Sequence, residues 1–297
     1  MSSPLVKISV GMPVYNGEEY LESAIQATLK QTYEDFELIV SDNASTDRTE
    51  SICRDFAESD SRIRYVRNEK NIGAAGNYNQ LFRLARGEYF RWFNADDLCS
   101  EFLHEKCLST LEAHPDAVLA YGKTDIIDGN DRFIEHYEDN LDLQMDSVVK
   151  RFLTFFHVVG MTNVIYGLMR RSALQNTLLM GNGSFPAADT NLMGELTLYG
   201  KFIEIPEILF YRRIHEDASS WDRNNTNAQQ MFWTGGNNKY VMPTLKKDLA
   251  YLRAILRSPN GILEKLLMET YILRRIFWNR RLIWNESLHC IQSDKNS

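Results

Sequence analysis

The sequence predicts an α/β protein in which a three-layer sandwich with a mostly parallel sheet is followed by a helical C-terminal extension. In the first half of the 297 residues, short apolar runs rich in β-branched side chains alternate with amphipathic helical stretches. Short links between alternating strands and helices are typical of a parallel sheet with helices on both faces. After residue 221 the strand signals stop, and residues 244–285 have helical spacing. We therefore expect one α/β domain over residues 1–220 and a helical extension over residues 221–297.

The first half of the chain contains four predicted strands and three predicted helices. The strands are apolar, and the helices have apolar side chains three or four positions apart. The strands are 7–14, 36–42, 63–68 and 88–94, and the helices are 20–31, 46–58 and 73–85. Ser45 or Thr46 is expected to cap the second helix, because a hydroxyl there accepts a hydrogen bond from the first helical turn.

The second half is less regular. Its predicted strands are 117–127, 163–169 and 201–213, and its predicted helices are 144–157 and 189–199. Residues 222–243 are rich in Asn, Gln and Gly and are interpreted as a loop. Residues 152–169 contain no charged side chain, which is the length of a membrane span. Polar residues within that run, such as Asn163, favour a buried helix end followed by a strand.

The composition narrows the class of protein. The net charge of −7 argues against nucleic-acid binding, which requires a basic excess. The four cysteines, at positions 53, 99, 107 and 290, form no CxxC pair, which favours a reducing compartment. The N-terminus lacks a basic segment followed by a long apolar core, so no signal peptide is expected. These features predict a cytoplasmic protein.

Polar clusters follow each of the first four predicted strands. They occupy residues 13–18, 41–47, 68–73 and 94–97. A single cluster of this kind is typical of turns and helix caps. The carboxyl ends of parallel strands meet at one crevice where ligands bind. Four clusters at these ends therefore favour a binding site.

The pair Asp96–Asp97 is the sharpest chemical signal. Two adjacent carboxylates repel each other unless a cation is shared between them. Hard oxygen ligands suit Mg²⁺ or Mn²⁺, which commonly bind substrate phosphates as well. Such a cation would neutralise a diphosphate leaving group. The alternative is that one of the two carboxylates caps the helix that begins near Glu101.

Two long segments resemble the donor-binding half of the family 2 glycosyltransferases. They are VGMPVYNGEEYLESAIQATLKQTYEDFELIVSDNASTDRT (10–49) and NIGAAGNYNQLFRLARGEYFRWFNADD (71–97). The resemblance is nearly continuous over residues 7–114, and a looser match reaches residue 215. It implies a fold of the GT-A type. It also implies transfer of a sugar from a nucleoside diphosphate to an acceptor hydroxyl, with inversion at the anomeric carbon.

The resemblance also implies where the donor binds. In it, Asp42 accepts a hydrogen bond from the base, which favours a UDP- or dTDP-sugar, and Asp96 is the direct ligand of the divalent cation. The predicted donor-binding residues are Pro13, Val14, Tyr15, Glu18, Asp42, Asn71, Asn79, Asn94, Asp96 and Asp97. Two residues depart from the family pattern. Asn94 replaces the first Asp of the Asp-x-Asp motif, which removes a charge, and Tyr78 stands where many relatives carry Arg.

Two later segments complete the predicted site. Residues 188–193 resemble the helix start that carries the catalytic base, which makes Asp189 the predicted base and a helix cap its alternative role. Residues 211–215, with Ser219 and Ser220, resemble the closing segment of the family, in which His215 would ligate the cation or contact the diphosphate. A purely structural histidine is the alternative.

Other functions remain open on sequence grounds. A nucleotidyltransferase would share the sheet and the cation, but it needs a basic Gly-rich loop after the first strand, which this sequence lacks. A degenerate nucleotide-sugar-binding module is a third reading, and Asn94 is its best support. The expected acceptor is a glycan or glycolipid.

The C-terminal segment is basic in an acidic protein. Residues 246–295 carry ten basic and five acidic side chains, together with Phe277, Trp278 and Trp284. Basic and aromatic side chains on a helix are typical of binding at a membrane surface. Helices packed back on the catalytic domain are the alternative, so both a cytoplasmic location and a peripheral one on the cytoplasmic membrane face remain open.

Overall fold

A computed structural model describes residues 6–181, 186–216, 226–236 and 242–295. Its strands are β1 (Ile8–Val14), β2 (Phe36–Asp42), β3 (Ile63–Arg67), β4 (Tyr89–Trp92), β5 (Leu98–Cys99), β6 (Ala117–Ile127), β7 (Phe133–Tyr137), β8 (Leu168–Arg170) and β9 (Lys201–Arg213). Its helices are α1 (Leu21–Leu29), α2 (Thr49–Ser59), α3 (Gly73–Leu84), α4 (Leu103–Ala113), α5 (Val148–Val158), α6 (Arg171–Leu174), α7 (Ala188–Leu196), α8 (Thr226–Thr234), α9 (Pro243–Arg257), α10 (Ile262–Trp278) and α11 (Arg280–Lys295).

The strands form one sheet in the order β3-β2-β1-β4-β8-β6-β9-β5, with β7 paired to β6. The first four strands are parallel, and Val14 at the end of β1 is in register with Asp42 at the end of β2. β1 and β2 are buried almost throughout, which explains why both are continuous apolar runs. The four strands and three helices predicted for this half are confirmed.

The other half of the sheet is mixed. β8 runs antiparallel between β4 and β6, while β6 and β9 pair in parallel with several register shifts. β5 has only two residues, and β7 lies at an exposed edge, so neither carries a strong sequence pattern. The whole sheet with its flanking helices is the mostly parallel α/β fold that the sequence predicts.

The second helix begins later than predicted. α2 starts at Thr49, and its N-cap is Arg48, which makes no side-chain cap hydrogen bond. The expected cap at Ser45 or Thr46 is therefore wrong. The hydroxyl of Ser45 instead accepts a hydrogen bond from the backbone N–H of Asn16. Residues before α2 are thus used to join two strand-end loops rather than to begin a helix.

The uncharged run over residues 152–169 is divided among three elements. It contains the end of α5, a 3-10 helix at Asn163–Tyr166 and the start of β8. The strand predicted over residues 163–169 is therefore only partly correct. Thr162, at a φ of 63°, turns the chain just before the 3-10 helix. Among the described helices, none is long and apolar enough to cross a membrane.

Residues 222–243 were expected to be a loop, but α8 lies within them. Trp233 of α8 is buried against Tyr78 of α3, with ring centroids 6.4 Å apart. A Cβ atom added to Gly73 would lie 2.6 Å from the carbonyl oxygen of Trp233, so α3 and α8 approach each other closely. The apolar residues of α8 form one short run flanked by Asn, Gln and Gly. The sequence therefore shows no helical repeat of apolar residues from which α8 could be predicted.

The C-terminal helices pack on the α/β domain and create a second apolar core. This core joins α9 and α10 to α5 and to the chain just after α7. Its buried members are Val148, Phe152, Leu198, Tyr251, Ala254, Ile255, Met268 and Ile272. One face of the extension is therefore an internal surface of the protein. The predicted boundary at residue 220 stays a prediction.

The second core yields a stability prediction. Ile272→Ala should lower the free energy of unfolding by about 2–5 kcal/mol, because the side chain has no exposed surface. The neighbouring Leu273 is 56% exposed, so Leu273→Ala should change it by less than about 0.5 kcal/mol. Urea denaturation measures both values. Equal losses for the two variants would contradict the packing of α10 on the domain.

Candidate active site

The loops after β1 and β2 are joined by hydrogen bonds. The backbone N–H of Asn16 donates to Ser45 Oγ over 2.9 Å, and Glu18 Oε2 accepts from the backbone N–H of Arg48 over 2.9 Å. Tyr15 lies in this joined loop with half of its surface exposed, while Pro13 belongs to the end of β1 itself. The first two predicted clusters are therefore one unit, with Tyr15 as its exposed ring.

Asp42 is completely buried beneath this unit. Its Oδ1 accepts a hydrogen bond from the backbone N–H of Ser45 over 2.8 Å. Its Oδ2 accepts from the hydroxyl of Tyr65 over 2.8 Å and from the Arg67 guanidinium. Arg67 keeps a third of its side chain exposed. Direct contact between Asp42 and a nucleotide base would therefore require that Arg67 move.

Asn71 and Asn79 have different environments. Asn71 Oδ1 accepts from Asn43 Nδ2 over 2.9 Å, which ties the third cluster to the second. Asn79 is buried, and its amide binds the backbone of residues 180–181: Nδ2 donates to Gly181 O over 2.9 Å, and Oδ1 accepts from the Met180 N–H over 3.0 Å. Asn79 thus holds a chain segment in place, and its predicted nucleotide contact stays a prediction.

Asn94 is held between two buried tyrosines. Its Oδ1 accepts a hydrogen bond from the hydroxyl of Tyr78, and its Nδ2 donates to the hydroxyl oxygen of Tyr166 over 2.6 Å. The two departures from the family pattern, Asn94 and Tyr78, therefore contact each other. A neutral amide can both accept and donate, which suits this position between two hydroxyl groups.

The adjacent carboxylates of Asp96 and Asp97 face different environments. Asp97 is buried, and its Oδ1 accepts from the backbone N–H of Arg213 over 2.9 Å. Burial, and then the nearby charge of Asp96, raise the pKa of Asp97 well above its usual range. The Asp96 side chain is 32% exposed, and its Oδ2 lies 3.2 Å from Nε2 of His215. Neither caps α4, whose N-cap is Phe102, so the capping alternative is wrong.

The segment that carries His215 is fixed to the fourth cluster. The Arg213 guanidinium donates to the backbone carbonyl of Asp96 and to the carboxylate of Asp131. It also lies 4.4 Å from the ring centroid of Tyr20, against which the His215 ring packs at 4.7 Å. Ser219 and Ser220 of the predicted closing segment lie outside the described residues.

Asp96 and His215 are the pair that fits a divalent cation. In the parts of the chain that the structure describes, no group of three or more His, Cys, Asp or Glu side chains could hold a metal ion. Mg²⁺ and similar cations are commonly held by one or two protein ligands, with substrate phosphates and water as the others. A partly exposed carboxylate beside an imidazole nitrogen is compatible with that arrangement. Asp97 is directed to Arg213 and adds no ligand.

Asp189 is the second residue of α7 and does not cap it. The N-cap is Ala187, at a φ of 62°, and it makes no side-chain hydrogen bond. Asp189 Oδ1 accepts from the backbone N–H of Thr190 over 2.7 Å. The carboxylate is half-buried, and burial raises its pKa above the usual value. Asp189 is therefore not the N-cap residue that the alternative required, although one of its oxygens binds an N–H of the first helical turn.

Arg212 carries a charge that acts on the carboxylates of this region. Its guanidinium donates to Asn163 Oδ1. Burial alone would lower the pKa of Arg212, but Tyr166 and the carboxylates of Asp97 and Asp189 outweigh it and raise the pKa. Asp96 contributes in the same direction. Arg212 is thus a half-buried cation whose charge acts on both Asp96 and Asp189, and its position in the closing segment was the signal available in the sequence.

The sequence did not indicate that α9 reaches the predicted base. The hydroxyl of Tyr251 donates to the backbone carbonyl of Thr190 over 3.2 Å. Lys247 precedes Tyr251 by four residues, so the two share a helix face. Burial and Arg275 lower the pKa of Lys247, while Asp248 and Asp189 act against them. Lys247 is therefore a second cation whose charge interacts with that of Asp189.

This chain belongs to glycosyl transferase family 2, whose sequence profile matches residues 9–178, more than half of its length. Its fold is of the GT-A type. Two solved structures share the fold. *Staphylococcus aureus* TarS 1–349 in complex with UDP has a TM-score of 0.65 and 16% identity, covering 91% of this chain and 72% of that one. The Pyrobaculum calidifontis mannosyltransferase in complex with GDP-Man and Mn²⁺ has a TM-score of 0.55 and 16% identity. The match covers 96% of this chain and 87% of that one.

Sequence relatives agree with the family. A *Haemophilus influenzae* glycosyltransferase is 25% identical over 282 residues, which is 89% of this chain and 85% of the relative. The Escherichia coli UDP-Glc:α-D-GlcNAc-diphosphoundecaprenol β-1,3-glucosyltransferase is 35% identical over 123 residues, which is 41% of this chain and 47% of the relative. A Methanocaldococcus jannaschii glycosyltransferase is 33% identical over 140 residues, which is 46% of this chain and 48% of the relative. The matches to the last two span about half of each relative.

Proposed function

We propose that this protein transfers a sugar from a nucleoside diphosphate sugar to an acceptor hydroxyl, with inversion at the anomeric carbon. The observation that carries the proposal is the partly exposed Asp96 at a strand end, whose Oδ2 lies 3.2 Å from Nε2 of His215. Asp189 is a half-buried carboxylate at a helix start, and the charge of the half-buried Arg212 acts on both carboxylates. The carboxylate of Asp96 suits the diphosphate side of a donor, and the carboxylate of Asp189 suits the acceptor side.

The donor is proposed to bind along the ends of β1, β2 and β4. Tyr15 offers an exposed ring for a base, and Arg67 offers a partly exposed cation above Asp42. The *E. coli* relative uses UDP-Glc, and the TarS structure contains UDP, which supports a uridine or thymidine nucleotide. The GDP-Man complex of the archaeal mannosyltransferase is the counterexample within the same fold.

We expect UDP to bind more tightly than GDP. Isothermal titration calorimetry of the two nucleotides at the same Mn²⁺ concentration measures the difference. Asp42→Asn should reduce the preference, because it removes the charge that holds Arg67. Tighter binding of GDP by the native protein would contradict the proposed base.

The divalent cation, Mn²⁺ or Mg²⁺, is proposed to bind Asp96 and His215. When bound, it would neutralise the negative charge that develops on the leaving diphosphate. The Mn²⁺ in the archaeal structure supports this assignment. Arg213 positions Asp96 by binding its backbone carbonyl, so the side chain stays available for ligation.

Asp96→Ala should abolish the increase in UDP affinity that Mn²⁺ produces, because it removes the exposed carboxylate of the pair. Calorimetry with Mn²⁺ and with a chelator measures the effect. Asp97→Asn is the matched comparison and should retain the Mn²⁺ effect, since that side chain binds the Arg213 N–H. Full transfer activity of Asp96→Ala in the presence of a chelator would refute the metal assignment.

Asp189 is proposed as the general base. Its carboxylate would take the proton from the acceptor hydroxyl while that oxygen bonds to the anomeric carbon and the bond to the diphosphate oxygen breaks. A raised pKa makes a carboxylate a stronger base once ionised. Lys247 and Arg212 nearby favour the ionised form before proton transfer.

Asp189→Asn should lower kcat by about 10²–10⁴-fold and leave donor affinity unchanged, since only the transition state uses the proton acceptor. Because only ionised Asp189 accepts a proton and its pKa is raised, the native rate should rise with pH through an inflection above about 3.9, the usual Asp value. Steady-state kinetics across pH measures both.

Asp55→Asn, in an exposed carboxylate of α2, is the control and should keep native kinetics. A native turnover rate in Asp189→Asn would place the base elsewhere. Glu195 is a poor substitute, because its buried carboxylate accepts from the Leu178 N–H and pairs with Arg257.

The acceptor is proposed to be a glycan or lipid-linked glycan. The name of the E. coli relative supports this, because it gives a sugar linked to diphosphoundecaprenol as the acceptor of that protein. The free thiols at all four cysteines support a cytoplasmic location.

One observation favours the alternative of a degenerate binding module: both the oxygen and the nitrogen of the Asn94 amide are hydrogen-bonded, to Tyr78 and Tyr166. Donor binding without turnover on any acceptor would favour that alternative.

A further inference from the structure

The outward side of α10 is apolar. Its residues Met268 and Ile272 are buried in the second core. At 100° per residue, the opposite side of the helix carries Thr270, Arg274 and six apolar residues, which are Leu263, Leu266, Leu267, Leu273, Phe277 and Trp278. We call these six residues the outer face of α10, and all six are exposed. The helix is thus apolar on both sides although only one side packs on the protein.

The exposed charges described between residues 242 and 288 are of one sign. All of them belong to arginines, which are Arg253, Arg257, Arg274, Arg280 and Arg281, and of these Arg257 is paired with Glu195. The acidic side chains of the same segment, Asp248, Glu264, Glu269 and Glu286, are buried or half-buried. The guanidinium of Arg280 lies 4.4 Å from the ring centroid of Phe277, so cations and apolar rings are directly adjacent.

We propose that the outer face of α10 and its arginines bind an anionic lipid surface. Exposed Leu, Phe and Trp beside arginines are the side chains with which helices lie in a membrane interface. A second copy of the chain fits less well, because like-charged arginines would then approach one another across the contact. The proposed contact is one in which the helix lies in the membrane interface.

The proposal assigns a role to the basic C-terminal segment of an acidic protein. Near an anionic leaflet, each arginine adds electrostatic attraction, while the negative charge elsewhere in the protein disfavours binding in other orientations. Leu282 and Trp284 of α11 are exposed as well and follow Arg280 and Arg281 in the chain, so the start of α11 has the same composition. Access to lipid-linked acceptors would follow, and that consequence alone rests on the proposed transfer reaction.

The test is co-sedimentation of the full chain, without donor, with vesicles of phosphatidylcholine alone or mixed equally with phosphatidylglycerol. The native protein should sediment with the anionic vesicles and remain in the supernatant with neutral ones. Phe277→Ser should weaken partitioning about tenfold or more, and Arg274→Gln about fivefold. Because donor and acceptor are absent, failure of the proposed transfer would leave this result unaffected.

Phe133→Ser is the matched control, because Phe133 in β7 is 56% exposed against 63% for Phe277. It should bind vesicles like the native protein, and thermal melting should show that both Ser variants are folded. Equal binding to neutral and anionic vesicles, or native binding by Phe277→Ser, would overturn the proposal. Dimers that light scattering detects and Phe277→Ser dissociates, without vesicle binding, would instead make this face a contact between copies.

Discussion

The contacts of Arg213 organise the centre of this molecule. Its backbone N–H binds the Asp97 carboxylate, and its guanidinium binds the Asp96 carbonyl and Asp131. These bonds fasten the end of β9 to the loop after β4. Consequently Asp97 is directed inward, Asp96 is left partly exposed, and His215 comes within 3.2 Å of it. Truncating a buried arginine of this kind would leave several polar groups without partners, which is costly in a protein interior.

Around this contact the protein concentrates charges that are partly removed from water. Asp97, Asp189, Arg212 and Lys247 all have pKa values displaced by burial or by one another. Such groups contribute little to stability, because desolvation offsets their attraction. Displaced pKa values are instead common where a protein binds charged ligands or transfers protons.

The C-terminal extension contributes to the site and to the surface at the same time. α8 packs on the start of α3 beside Asn71, and α9 brings Lys247 and Tyr251 to the helix that carries Asp189. α10 is held against α5 and α9 by its buried side, which leaves its apolar outer face exposed. The packing of α10 on α5 and α9 therefore fixes where the outer face lies relative to the α/β domain.

Local patterns in the sequence determined the parallel half of the sheet and the polar clusters at its strand ends. Apolar runs of strand length and helical spacing are properties of neighbouring residues, so they can be recognised without the fold. The family resemblance had selected Asp96 over Asp97 as the ligand, but only the tertiary structure gave the physical reason, because the partner that holds Asp97 inward, Arg213, is 116 residues away from it. The same holds for α8 and for Lys247, whose positions depend on packing between segments distant in the chain, which local propensity does not encode.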